Sequence, residues 1–116
     1  DTYYSWTSLS PFNNLLAMLY TGQHFTRHDG ACIIDLQSGT ATCPDASAIY
    51  GFIDNYDWSP DNRFFLVMYN GYGRYSHDKS FTRFGIFDVA AGTYRDQGNV
   101  IYENNIGNLW RPALKS

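Results

Sequence analysis

The residues whose types could do chemistry are few, and the histidines come first. His24 and His28 stand four positions apart in the segment HFTRHD, and the third histidine is His77. In a helix this spacing would suit metal ligands. The neighbouring residues are typical of strand and loop, where such positions lie about 13 Å apart along one face. We therefore expect exposed loop histidines and predict neither a metal site nor another cofactor.

Three carboxylates cluster around one turn, at Asp54, Asp57 and Asp61. Two carboxylates held in a cleft can act as general acid and base, but this spacing matches no calcium loop. Aspartates in turns accept hydrogen bonds from nearby backbone amides, so we interpret Asp57 and Asp61 as turn-forming residues. The sequence also lacks Gly-x-Ser-x-Gly, the turn that presents a hydrolase nucleophile. No residue is predicted to be catalytic, and the pattern favours a chain without catalysis of its own.

A tyrosine-rich loop is the main candidate for binding. In the segment MYNGYGRY, Tyr69, Tyr72, Arg74 and Tyr75 are interleaved with two glycines. Tyrosine loses little conformational entropy on binding and glycine lets a loop adapt, a combination found in recognition surfaces. The alternative is a tyrosine cluster that packs against a neighbouring part of the fold, with its hydroxyls reaching water.

The two cysteines, Cys32 and Cys43, bound the segment CIIDLQSGTATC. Its centre, Leu-Gln-Ser-Gly, suits a four-residue hairpin loop with Gly39 in the left-handed conformation. Pairing Asp35 with Thr40 then places the cysteines opposite each other, within disulfide range. We predict this disulfide and, with it, an extracellular or secretory location. The alternatives are two reduced, buried thiols, or a three-residue loop that would put the cysteines on opposite faces.

Composition favours an all-β fold and excludes two classes of partner. The 116 residues are enough for one core, 18% of them are aromatic, and the sequence has a single Glu and two Lys. Strand-favouring residues therefore outnumber strong helix formers. A net charge of -3 with scattered Lys and Arg predicts no nucleic-acid partner. The apolar runs are far shorter than the roughly 20 residues that span a bilayer, so we expect no membrane span in this chain.

The elements that must position these residues repeat along the chain. A polar turn containing Ser-Pro or Arg-Pro leads into a strand in three segments: SWTSLSPFNNLLAMLY (5–20), NYDWSPDNRFFLVMY (55–69) and NLWRPALKS (108–116). A hairpin segment occurs twice, as CIIDLQSGTATC (32–43) and GIFDVAAGTYRD (85–96). The prolines Pro11 and Pro60 are 49 positions apart, whereas Asp35 and Asp88 are 53 apart. The second unit therefore carries about four extra residues, which fall in NGYGRYSHDKSF.

Four strands in about 50 residues is the pattern of a β-propeller blade. We therefore predict an all-β fold of propeller-type four-stranded blades, with repeats at 1–50 and 51–103 and the first strand of a third at 104–116. The innermost strands are expected near Tyr3–Leu9, Ile53–Trp58 and Ile106–Trp110. The turn alignment pairs Leu9, not Trp6, with Trp58, so the even spacing of the three tryptophans is partly coincidental. The alternative architecture is a β-sandwich with similar turns.

One segment resembles a known family. Residues 56–89, YDWSPDNRFFLVMYNGYGRYSHDKSFTRFGIFDV, resemble an early blade of the dipeptidyl peptidase IV propeller. The shared features are a Ser-Pro-Asp turn, an apolar strand ending in Tyr-Asn, a loop with Arg and Ser, and an aromatic strand ending in Asp; they fall on Ser59, Pro60, Asp61, Tyr69, Asn70, Arg74, Ser80, Phe81 and Asp88. The start, SWTSLSPFNNLLAM, is similar to that family's Trp-x-x-Trp-Ser-Pro entry, with Leu9 replacing the second Trp. Ser-Pro-Asp turns also occur in TolB-like propellers.

The resemblance implies an extracellular, often membrane-anchored serine exopeptidase whose propeller covers a separate α/β-hydrolase domain. Some members of that family are catalytically inactive and act through partners. The sequence contains no Glu-Glu pair, which the family's propeller uses to hold a substrate amino terminus. None of the family's catalytic or amine-binding residues is carried onto this chain, so any peptidase activity would need a domain outside it.

Two blades leave an unpaired strand edge and an uncovered apolar face at each end, whereas closed propellers have roughly four to eight blades. We therefore expect a non-catalytic extracellular module with a structural or interaction role. Its partner would be protein, either further copies in a ring or filament or the rest of a larger propeller. The alternative is the propeller portion of a dipeptidyl peptidase IV-like exopeptidase that gates access to a hydrolase domain. A third possibility is a small ligand-binding module that uses the Tyr69–Tyr75 loop.

Overall fold

The computed structural model of the chain describes residues 3–21, 29–49, 52–70 and 82–99. These residues form two antiparallel sheets of four strands, without a helix among them. Both sheets have their strands in chain order. Sheet 1 comprises β1 (Tyr3–Leu9), β2 (Leu15–Thr21), β3 (Gly30–Asp35) and β4 (Ala41–Thr42), and sheet 2 comprises β5 (Phe52–Trp58), β6 (Phe64–Asn70), β7 (Thr82–Asp88) and β8 (Thr93–Asn99). The all-β prediction is confirmed.

The predicted innermost strands can be compared directly with the structure. Strand β1 has the predicted bounds, and β5 begins one residue earlier than predicted, at Phe52. The third predicted strand, Ile106–Trp110, lies outside the described residues.

A buried serine organises the first hairpin turn of each sheet. Ser10 and Ser59 are 2% and 0% exposed. The amide of Ser10 donates to the carbonyl of Leu15 at 2.9 Å, and its Oγ accepts from the Leu15 amide at 3.1 Å. Ser59 makes the same pair of bonds with Phe64, at 2.9 and 3.0 Å. The serine thus satisfies a buried strand end that would otherwise carry an unpaired amide, which explains why the Ser-Pro turn recurs.

The pairing register confirms the alignment of the two units. A β-bulge interrupts the first strand of each sheet at the equivalent position. Beyond it, Leu9 lies opposite Leu16 in sheet 1, and Trp58 lies opposite Phe65 in sheet 2. Leu9 is therefore the structural equivalent of Trp58, and Trp6 is not.

The second hairpins are also equivalent. The Asp35 amide donates to the carbonyl of Thr40 at 2.9 Å, and Gly39 has a φ of 74°. In sheet 2, β8 begins opposite Asp88, and Gly92 has a φ of 66°. Both loops therefore have four residues with glycine in the left-handed position, which L side chains rarely adopt. This is the loop that the sequence predicts between Cys32 and Cys43.

The two sheets pack face to face, and we call the interface between them the seam. Sheet 1 contributes side chains from β2 and β3, the β4–β5 connection adds two residues, and sheet 2 contributes side chains from β5, β6 and β7. The buried residues are Leu15, Ala17, Leu19, Ala31, Ile33, Ala46, Ile49, Ile53, Trp58, Phe65, Val67, Tyr69 and Phe87. Three aromatic rings pack together on the sheet 2 side of the seam. The ring centroid of Phe65 lies 5.0 Å from that of Trp58 and 6.2 Å from that of Phe87.

The seam joins unlike faces of the two sheets. Its residues in β2 are Leu15, Ala17 and Leu19, and the equivalents of these, 49 positions later, are Phe64, Leu66 and Met68. Those three residues lie on the other face of sheet 2, where they form a second buried cluster with Ile86. We call the face that carries these equivalent residues the front face of each sheet and the opposite face the back. Both sheets bury the front face. The packing is directional, front of one unit against back of the next.

Candidate functional site

The disulfide joins β3 to β4. Cys32 and Cys43 are bonded, and they stand opposite each other because Ile33 pairs with Thr42 one position further along. Cys32 is 5% exposed, whereas Cys43 is exposed. The predicted disulfide is confirmed. Since β4 has only two residues, the bond holds a short outer strand that little else secures.

Tyr69 does not lie in an exposed loop. It is a residue of β6 and is 1% exposed, with its ring in the seam. The reason is that β6 continues to Asn70, so Tyr69 still occupies an inward position of the strand. The other members of the predicted binding loop, Tyr72, Arg74 and Tyr75, lie outside the described residues. A binding role for that loop stays a prediction.

The Tyr69 hydroxyl belongs to a polar cluster at the edge of the seam. It donates to Asp96 Oδ1 at 2.5 Å and lies 3.2 Å from the carbonyl oxygen of Ala48. Arg83 donates from Nε to the Tyr69 hydroxyl at 3.0 Å and from a terminal nitrogen to Asp96 Oδ2 at 2.5 Å. Tyr94 adds a longer bond to Asp96, 3.4 Å between the oxygens. We call these four side chains, Tyr69, Arg83, Tyr94 and Asp96, the β6–β8 cluster.

Strand register brings the cluster together. Tyr69 lies opposite Arg83 across β6 and β7, while Asp96 lies opposite Gly85 across β7 and β8. The Tyr94 ring covers Gly85, and a Cβ at that glycine would collide with it. Glycine is therefore required there by the close approach of the ring.

Burial and hydrogen bonds within the cluster raise the pKa of three of its groups, Tyr69, Tyr94 and Arg83. Desolvation, followed by the hydrogen bond to the Asp96 carboxylate, raises the pKa of Tyr69 to about 12. Burial is also the main reason that the pKa of Tyr94 is raised. The bond to Asp96 raises the pKa of Arg83. Both tyrosines are thus neutral hydrogen-bond donors near pH 7, which suits a fixed structural network and does not suit a general base or a nucleophile.

The acidic turn residues behave as the sequence predicts. Asp57 Oδ1 accepts from the Trp58 amide at 2.8 Å, and Asp61 Oδ1 accepts from the Ser59 hydroxyl at 2.7 Å and the Arg63 amide at 3.2 Å. The bond from Ser59 is the main cause of a lowered pKa at Asp61. These carboxylates are committed to the turn.

Neither a candidate metal cluster nor a membrane-spanning helix is found in the part of the chain that the structure describes. It holds no group of three or more His, Cys, Asp or Glu side chains arranged to bind a metal. Nor does it include a helix with the length and hydropathy needed to cross a membrane. All three histidines lie outside the described ranges.

Sequence reasoning missed the β6–β8 cluster, although the signal was present. Alignment of the two hairpin segments places Asp96 at the position of Cys43 and Gly85 at that of Cys32. The outer strand of sheet 1 is therefore bonded covalently at a position where the outer strand of sheet 2 has a carboxylate. This difference indicates that the second unit holds its outer strand by polar contacts. Arg83 and Tyr69, each on an adjacent strand, are the partners that this carboxylate needs.

Comparison with known proteins adds no relative. No protein-family model, no curated protein and no solved structure matches the chain.

Proposed function

We propose that the two sheets are successive blades of a propeller-type array, and that the chain is an interaction or structural module completed by protein partners. Those partners are further copies of the chain, in a ring or a filament, or the remaining blades of a larger propeller. A role as part of a dipeptidyl peptidase IV-like exopeptidase stays a prediction from sequence resemblance.

The observation that carries the proposal is the front-to-back seam. If the two sheets packed through equivalent faces, each would use up the face that makes the contact. A third sheet could then not join through the same contact. Here the seam uses the front of sheet 1 and the back of sheet 2; the front of sheet 2 is also buried, and the back of sheet 1 is the face left for another unit. Heterologous contacts of this kind generate rings when the rotation closes and filaments when it does not.

The free side of sheet 1 supports the same conclusion. Its back face presents Leu9, which is 51% exposed, and the half-buried Leu16 and Met18. Leu16 and Met18 are the equivalents of Phe65 and Val67, which sheet 2 buries completely in the seam. An apolar face of this type favours a protein contact.

The disulfide supports an extracellular or secretory location for the module. Disulfides form and persist in oxidising compartments and are rare in the cytosol. The bond between Cys32 and Cys43 ties an outer strand of two residues, so the fold of sheet 1 depends on such a compartment more than the fold of sheet 2 does.

Light scattering of the purified, oxidised 116-residue chain tests the proposal. We expect a defined oligomer or a polymer whose mass rises with concentration. Met18→Lys, on the back face of sheet 1, should shift the chain towards the monomer, because it places a charge in the proposed contact.

Gln37→Lys is the matched control, since it adds the same charge in the exposed β3–β4 loop. It should leave the oligomer unchanged, and the far-ultraviolet circular dichroism of both variants should match the wild type. A wild-type chain that stays monomeric and stable at high concentration would contradict self-assembly. So would an oligomer that tolerates Met18→Lys as well as Gln37→Lys.

A further inference from the structure

A cavity of about 320 Å³ opens where the two outer hairpins meet at one end of the seam. Its sheet 1 side has an apolar floor, which includes Leu15 and Ile33, and hydroxyl groups from Ser38, Thr40 and Thr42. The loop between β7 and β8 forms the opposite wall. The volume falls at the lower end of the range for small-molecule sites. We call this space the hairpin pocket.

The hairpin pocket has a carboxylate on its sheet 1 side. Asp35 lies opposite Leu15, so it stands on the face of sheet 1 that looks towards sheet 2. Its Oδ1 accepts from the amides of Gln37 and Ser38, at 2.9 and 3.3 Å. Its Oδ2 makes no hydrogen bond within the described residues, and no Lys, Arg or His is among the residues that line the pocket. Asp88, where β7 meets its loop, also lines the pocket, which therefore combines an apolar floor, hydroxyls and negative charge without a cation.

The second unit shows what the chain places at the equivalent position. Thr42 corresponds to Arg95, 53 positions later. Arg95 lies opposite Ile86, and Asp88 lies opposite Phe64, so both belong to the far face of sheet 2. The second unit thus provides its own guanidinium on the face that carries its turn aspartate. The first unit has only a short hydroxyl there.

We infer that the hairpin pocket binds an alkylguanidinium group, from an arginine side chain of a protein partner or from a small guanidine compound. The aliphatic stem lies on Leu15 and Ile33, as the stems of long cationic side chains lie on apolar surfaces. The planar guanidinium donates to Asp35 Oδ2 and to the threonine hydroxyls, a geometry that a guanidinium satisfies better than an ammonium does. This site does not depend on the propeller proposal, because it is formed by the two described hairpins.

Titration of the full chain with two matched probes, followed by NMR, tests the inference. Nα-acetylarginine amide should cause saturable shifts of the Leu15, Ile33 and Val89 methyl signals. Nα-acetylcitrulline amide has nearly the same shape but no charge, and it should bind at least about tenfold more weakly because the bond to a carboxylate is charge-assisted. Agmatine separates the sources: equal affinity points to the guanidinium group alone, and weaker binding than the peptide-like probe points to a protein ligand.

Three variants locate the site. Asp35→Asn keeps the acceptor oxygen that the turn needs but removes the charge, so binding should weaken about tenfold or more. Asp57→Asn is the matched control, because it makes the same change at an exposed carboxylate that does not line the pocket and that also accepts from a backbone amide; its effect should stay within about twofold. Thr42→Arg, which copies Arg95 at an exposed position of β4, should abolish binding of the arginine probe while the rest of the spectrum persists.

Equal binding of the citrulline and arginine probes would overturn the inference, since the pocket would then recognise shape alone. Equal losses in Asp35→Asn and Asp57→Asn would overturn it as well, because the effect would then be long-range charge. The absence of any saturable methyl shift with the arginine probe, or wild-type affinity in Thr42→Arg, would have the same consequence.

Discussion

The outer hairpins of the two sheets occupy equivalent places but are held by different chemistry. In sheet 1, Cys32 and Cys43 are joined covalently across β3 and β4. In sheet 2 the same two positions are Gly85 and Asp96, and Asp96 instead binds Arg83 and two tyrosine hydroxyls. The outer strand is linked to the sheet at the same position in both units, by a disulfide in sheet 1 and by hydrogen bonds in sheet 2.

The lengths of the outer strands explain the difference. Strand β4 has two residues, both exposed, so it has few contacts of its own. Strand β8 has seven residues, and Tyr94 packs its ring 4.7 Å from that of Phe87 between centroids. A short strand without buried side chains needs a covalent link, because two ladder positions gain little against the entropy of ordering the hairpin. A long strand with a buried ring can be held by packing and hydrogen bonds.

The largest expected effect comes from breaking the seam on the sheet 2 side. Phe65→Ala removes a ring that is 0% exposed and contacts Trp58 and Phe87. We expect it to lower the free energy of unfolding by about 3–5 kcal/mol. The equivalent change in sheet 1, Leu16→Ala, affects a half-buried residue and should cost at most about 1–2 kcal/mol. Urea denaturation at a concentration where the chain is monomeric measures both, and similar losses in the two variants would then contradict the directional seam.

Removal of the disulfide should have the next largest effect. The double substitution Cys32→Ala and Cys43→Ser opens a link across 11 positions of sequence, and we expect a loss of roughly 3 kcal/mol. Asp96→Asn, at the position of Cys43 in sheet 2, should cost about 1–2 kcal/mol, because it weakens charge-assisted bonds at a partly exposed site.

Hydrogen exchange separates the two cases. The double cysteine variant should lose protection at Ala41 and Thr42 while β8 stays protected. Asp96→Asn should do the reverse. Loss of protection in both outer strands from either change would show that the two hairpins unfold together.

Alkaline pH should weaken the seam through the β6–β8 cluster. The pKa of Tyr69 is raised to about 12 in the folded chain, above its ordinary value of about 10. Below pH 10 tyrosine is neutral in both states and the stability is intact. Between about pH 10 and 12 the unfolded chain ionises first, so the free energy of unfolding falls as the pH rises. The raised pKa of Tyr94 acts in the same direction.

Urea midpoints from about pH 9 to about pH 11 measure this decline. Tyr69→Phe should flatten it, because the variant has one less group to ionise. The double cysteine variant serves as the comparison from sheet 1 and should keep the wild-type slope. Identical slopes in the wild type and Tyr69→Phe would exclude Tyr69 as the cause.

The smallest expected effect concerns the first turn of each unit. Asn13 and Asn62 both have left-handed backbones, with φ of 59° and 69°. Glycine adopts this conformation without strain, so Asn13→Gly should be neutral or stabilise by up to about 1 kcal/mol. Asn62 also accepts from the Phe12 amide and donates to Asn14, so Asn62→Gly should destabilise by about 1 kcal/mol. Thermal unfolding of the two variants measures the difference, and a more stable Asn62→Gly would contradict it.

Much of the local structure could be predicted from sequence, because it depends on short-range patterns. Alternating or continuous apolar runs gave the strands, and the Ser-Pro turns gave the register of each unit. The hairpin loop with Gly39 then determined that the two cysteines face each other. The buried position of Tyr69 could not be predicted, since it depends on where β6 ends, and the sequence around Asn70 has the glycines typical of a loop.

The sequence by itself determined two repeated all-β units and their turns, and it predicted the pairing of Cys32 with Cys43, because each of these follows from residues close together in the chain. Tertiary structure decided which face of each unit is buried against the other. It also brought together the two hairpins of the pocket, which are 53 positions apart in sequence, while strand pairing within sheet 2 assembled the β6–β8 cluster. The physical reason is that both faces of these strands are apolar, so strand periodicity does not select the packed face. The packing of the two sheets against each other determines which face is buried in the seam.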